Sequence, residues 1–222
     1  MLMTHRYGIA ALIGLASLAA APQVQAHPHV FVDTSIAFVM EEPGALQALD
    51  ITWRFDPMES LYILAAQGIT PSVEGTLDAE ARAKLSESYA DWHPAFNGFA
   101  RLSLGGAQVD LSAPRDVEAD LVDGQLWIRF SRALPAPTSL HSQANAEVAV
   151  YEDTYFYAVT VGEQPTITGA GGDCAATLTP FDPDTQELVI IQTTLFELGR
   201  EETPDIEGVG ALFADRITLT CG

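Results

Sequence analysis

The sequence predicts an α+β fold: a mostly antiparallel β-sheet or sandwich, with two or three helices inserted after the first hairpin. Three observations predict it. Apolar residues alternate with polar ones early in the chain, helical spacing follows, and alternating stretches parted by Gly and Asp-Gly return to the end. Strands, then helices, then strands point to α+β and away from a βαβ repeat.

The first strand is "HVFVDTSIAFVM" (29–40). Val30, Val32, Ile36 and Phe38 share one face; His27, His29, Asp33 and Ser35 share the other, and Phe31 breaks the pattern. "EEPG" turns the chain, and "LQALDITWRFD" forms a second strand with Ile51, Trp53 and Phe55 inward. Two helices follow. "PMESLYILAAQG" opens on Pro57 and stops at Gly68. "TLDAEARAKLSESYADWH" places Leu77, Ala81, Leu85 and Tyr89 at helical spacing, with Thr76 as its cap. Strand patterns resume with "GFARLSLGG", "AQVDLSAP", "RDVEADLVDG", "QLWIRFSRAL" and "AEVAVYEDTYFYAVTV". "CAATLTP" and "RITLTCG" read as late strands, with "PDIEGVGALFAD" as a short helix between them.

Residues 1–26 read as a secretory signal peptide, leaving 27–222 as a single α+β periplasmic domain. His5 and Arg6 precede the apolar run "GIAALIGLASLAAA", about 14 residues and short of the roughly 20 that span a bilayer. Cleavage after Ala26 would make His27 the N-terminal residue. No later segment is long and apolar enough to span a membrane. The two cysteines agree with export: Cys174 and Cys221 are expected to form a disulfide that ties down the C-terminus.

A formal net charge of −20 argues against nucleic acid and anionic lipid as partners, because both require clustered positive charge. No G-x-S-x-G, P-loop, Rossmann fingerprint or H-E-x-x-H occurs. The "HPH" at 27–29 is distinctive for its position. Residues two apart on a strand project to one side, so His27 and His29 can converge on one ion. A terminal His27 would add its α-amine as a third nitrogen donor, as in a copper histidine brace. Imidazole also suits zinc, nickel and cobalt. Pro28 has no N–H to lose, which disfavours the square-planar terminal X-X-His mode. The alternative reading is a polar strand start with two solvated imidazoles.

Further donors have to come from elsewhere. Asp33 lies about 13 Å along the strand from His29, too far for one ion on a straight strand. Asp56, at the end of the second strand, reads as a ligand or as a helix N-cap. Glu152 and Asp153 read as edge residues of an aromatic strand or as ligands. His93 sits at a helix end, where an imidazole serves either terminal carbonyls or a metal, and His141 lies in a Pro-rich loop.

A signal peptide ending in "A-HPHVFVD", then "ITWRFDPMES", "VAVYEDTYFYAVTV" and a late "ALFADRITLTC", resembles the DUF1007 family across nearly all of the mature chain. His27, His29, Asp33, Trp53, Asp56, Asp153 and Tyr155 match its pattern; "YEDTYF" departs from the more usual "YDPTYF". Proteins of that family are exported and described as the periplasmic, substrate-binding part of ABC-type transport systems. They accompany NicO-type nickel/cobalt transporters, and some are implicated in zinc acquisition. The resemblance implies a non-enzymatic periplasmic accessory of an inner-membrane metal transporter, with Zn(II) the first expected ion and Ni(II), Co(II) or Cu(II) following. His27, His29, Asp56, Asp153 and His93 are the candidate ligands. Two other readings stay open: an interaction module that supports the transporter without binding metal, and a histidine-brace copper protein.

Overall fold

A computed structural model describes residues 28–93, 96–140, 145–184, 189, 195 and 207–222. The signal peptide, His27 and His141 lie outside the described residues. Two sheets share one hydrophobic core, and two helices pack along one side of the first sheet.

The first hairpin is as expected. Strand β1 (Val30–Glu42) and strand β2 (Ala45–Phe55) pair antiparallel around a turn at Pro43 and Gly44. Every second β1 side chain from Val30 to Met40 is buried. Phe31 is exposed on the outer face, so the alternation has no exception; one apolar residue simply faces water. Helix α1 (Pro57–Ala66) follows directly, and helix α2 (Ala79–Ala90) comes next. The cap of α2 is Asp78 and not Thr76: the Asp78 carboxylate accepts the Ala81 N–H at 2.8 Å. An aspartate so close to the first turn outcompetes the threonine, which instead shares a 2.8 Å hydroxyl bond with Ser72. Leu77 and Leu85 are buried, and Ala81 and Tyr89 pack against the core with them, as their spacing predicts.

Strands β3 (Ala100–Leu104), β4 (Ala107–Val109), β5 (Arg115–Val122), β6 (Gln125–Ser139) and β7 (Ala146–Val150) then alternate between the sheets. Asp123 and Gly124, both at positive φ, form the β5–β6 turn that the Asp-Gly pair predicts. The expected single strand across 146–161 is two. β7 ends at Val150, a turn occupies 151–156, and strand β8 (Tyr157–Val161) begins in the other sheet. The Glu152 carboxylate breaks the strand by taking the N–H groups of Thr154 and Phe156, at 3.0 and 2.8 Å.

The first sheet runs β5–β6–β2–β1–β8, with strand β9 (Thr166–Gly169) also on β1. The second runs β10–β11–β7–β3–β4, where β10 is Cys174–Thr179 and β11 is Asp215–Cys221. Pairing is antiparallel except that β8 and β9 both lie parallel to β1. The exception arises because the chain changes sheets at 151–156 and reaches β1 from β1's own starting end. Between β8 and β9, Gly162 donates to the Thr34 carbonyl at 3.1 Å. A Cβ there would lie 2.0 Å from the Asp33 carboxylate, which would have to shift to admit it. Cys174 and Cys221 are directly opposed on β10 and β11 and are disulfide-bonded, as expected. Among the described residues, the helix expected over 204–215 is a short 3-10 turn, η1 (Val209–Phe213), entered through Gly208 at φ 67°.

Candidate functional site

His29 stands where β1 begins. Its N–H donates to the Phe156 carbonyl at 3.0 Å, and its ring packs against the Phe156 ring with centroids 5.0 Å apart. The imidazole is half-buried and its backbone is fixed to the run-in of β8. Two carboxylates are bound to backbone N–H groups near it in space. Asp56 accepts the Phe31 N–H at 3.2 Å, and Glu152 accepts the Phe156 N–H at 2.8 Å. The head of β1 is therefore flanked by acids that the fold itself holds in place.

Those acids already have structural roles. Asp56 caps α1, taking the Met58 and Glu59 N–H groups at 2.8 and 2.9 Å while its other oxygen ties β1. Asp153 bonds Arg101 at 2.6 Å, and that guanidinium lies over the Tyr151 ring. Asp33 faces Arg54 across the β1–β2 pairing, with 3.1 Å between Oδ2 and Nη2. Arg54 is 8% exposed; its second acid is Glu163, just past Gly162, and its guanidinium also rests over Trp127. This explains the aspartate of the H-P-H-V-F-V-D element as the anchor of a buried cation. Among the described residues, no group of three or more His, Cys, Asp and Glu side chains is placed to hold a metal ion. His27, the partner expected for His29, lies outside them.

His93 is elsewhere. It lines, together with Trp53, a cavity of about 360 Å³. The Trp53 indole stacks on Trp92, with centroids 5.5 Å apart and planes 11° off parallel, and meets Phe130, Phe99 and Phe96 at 4.6–6.1 Å. Tyr89 from α2 and Tyr157 from β8 complete the wall, while Glu59 and Asp91 supply its acids. Gly98 makes the Trp92 position available. Its φ is 67°, and a Cβ there would lie 2.7 Å from the indole. Arg132 pins the same segment, donating to the carbonyls of Asn97, Leu111 and Ser112.

The pocket perturbs its titratable groups. Burial, reinforced by Asp56, raises the Glu59 carboxyl above its ordinary value. The Tyr89 phenol is driven well above the ordinary range by burial first, then by Tyr157 and Glu59. Tyr157 rises for the same leading reason, with Glu59, Glu152 and Tyr62 adding to it. Sequence reading did not identify the pocket, although "DWHPAFNGF" beside "ITWRF" is aromatic enough to mark it.

The sequence model of the family described as "protein of unknown function (DUF1007)" matches residues 12–221. A comparison with curated proteins found no match. Among the described residues, no helix is long and apolar enough to cross a membrane.

Proposed function

We propose that this chain, which belongs to the DUF1007 family, is an exported accessory of an inner-membrane metal transporter that holds a transition-metal ion at the head of β1. The placement of His29 carries the reading. A half-buried imidazole is seated on a rigid strand end by a backbone bond and a ring contact, with acids on either side. An imidazole preorganised in this way lowers the cost of binding a metal. His27, two residues away, would bring a second imidazole and, after cleavage behind Ala26, its α-amine. Nitrogen donors fit zinc first, with nickel, cobalt and copper able to use the same set. Few protein donors suit an ion that is passed on. The Cys174–Cys221 disulfide supports an oxidising compartment, here the periplasm.

A second reading has its own support. Met58, Leu61 and Tyr62 form an exposed stripe on α1, and Phe31 is exposed on the neighbouring strand. An interaction module that assists a transporter without binding metal would use such a surface.

Calorimetry on the mature chain, with its first residue verified by intact mass, separates the two readings. Zn(II), Ni(II), Co(II) and Cu(II) are titrated into the wild type, a His27→Ala/His29→Ala variant, and a form extended by one residue before His27. The metal reading predicts binding tighter than about 1 mM, or −4 kcal/mol, and its loss in the double variant. Loss in the extended form as well would identify the α-amine as a donor. If the wild type binds no ion below about millimolar, the metal reading fails and the interaction module remains.

A further inference from the structure

We propose that the aromatic pocket around Trp53 and Trp92 is a binding site for a small organic ammonium cation, with the alkylated nitrogen against the rings and Glu59 and Asp91 balancing its charge. This inference is independent of the metal reading and concerns a different part of the molecule.

Three observations carry it. The walls are aromatic on several sides: indoles from β2 and the segment after α2, phenyl rings from Phe96 and Phe99, and phenols from Tyr89 and Tyr157. Electron-rich ring faces attract a cation that carries an apolar skin, and quaternary ammonium groups are the ligands such cages take. Glu59 and Asp91 border the cavity beside His93, and among the described residues no Lys or Arg lines it, so its fixed charges are acidic. Arg132 touches the Trp92 ring at 5.4 Å, but it lines the neighbouring polar cavity and is bonded to three carbonyls. The volume, about 360 Å³, suits a ligand of a few heavy atoms.

The alternatives fit less well. An anion would face two carboxylates. A neutral apolar ligand would dehydrate the half-buried Glu59 further without supplying a counter-charge, which is unfavourable. A bare metal ion would want several converging oxygen or nitrogen donors, and among the described residues none converge. An alkylammonium ion meets both demands, giving its methyl groups to the rings and its charge to the acids.

The test compares choline with its uncharged carbon isostere, in which a tert-butyl group replaces the trimethylammonium. Tryptophan emission of the mature chain reports binding, because Trp53 and Trp92 form the wall while Trp127 lies apart, against Arg54 and Arg129. Choline is expected to bind about tenfold or more tightly than the isostere. Glu59→Gln should weaken choline several-fold and leave the isostere unaffected, and Trp92→Leu should abolish both responses. Should Trp92→Leu fail to fold, the half-exposed Glu59→Gln still decides. His27→Ala/His29→Ala should leave choline binding within about twofold, which separates this site from the metal. Equal affinity for the two probes would reduce the pocket to an apolar hole and overturn the proposal. So would the absence of binding by either probe at millimolar concentration.

Discussion

Asp56 illustrates why residue type and residue role have to be separated. It was a reasonable ligand by chemistry, yet its oxygens accept three backbone N–H groups, two from α1 and one from β1. Asparagine caps helices about as well as aspartate, whereas alanine does not. Asp56→Ala is therefore expected to destabilise the fold by about 1–2 kcal/mol, and Asp56→Asn by much less, in urea unfolding. Metal affinity measured on Asp56→Asn then answers the ligand question: a structural Asp56 leaves it unchanged, and a ligating Asp56 does not. Alternation in the sequence put Asp33 on the outer face correctly, but its partner was invisible. That pairing depends on the β1–β2 register, Asp33 opposite Arg54, and a one-residue slip would have reversed it. Glu152 was hidden differently. A carboxylate among Tyr and Phe looks like part of a strand until its side chain is seen closing a turn.

At the scale of elements, the strongest patterns held: the first hairpin, both helices, and the Asp-Gly turn. What failed was long-range. Nothing local in "YAVTV" says that it will lie parallel to a strand more than a hundred residues earlier, since parallel partners have no turn to announce them. The C-terminal clip was legible because two cysteines allow one pairing. Its removal is expected to be costly. Cys174→Ser/Cys221→Ser should lose about 2–4 kcal/mol, given a 47-residue separation, in denaturant unfolding of the oxidised protein against the double variant. The segment carrying Trp92 depends on a single glycine. Gly98→Ala should shift the near-UV circular dichroism, because the added methyl group displaces the indole from its stack on Trp53.

For the whole molecule, the buried phenols set an alkaline limit. Burial is the leading cause that raises Tyr89, Tyr155 and Tyr157 above the ordinary value of 10.0. The native chain therefore keeps protons that the unfolded chain has released once pH passes about 10, so stability falls from there upward. Denaturant midpoints should be unaffected by these groups below pH 9 and decline above pH 10. Tyr155→Phe should soften the decline, since its ring stacks on Phe213 and needs no hydroxyl to do so. The parallel pairing of β8 and β9 with β1 has one more effect, in time. Until residues 157–169 arrive, β1 presents thirteen residues of unpaired edge with an apolar face. Contacts of such sequence separation close slowly. A chain emerging N-terminus first thus cannot finish its leading strand until three-quarters of it has been delivered. Folding is deferred by connectivity alone, and a holding chaperone would find its target in that waiting edge.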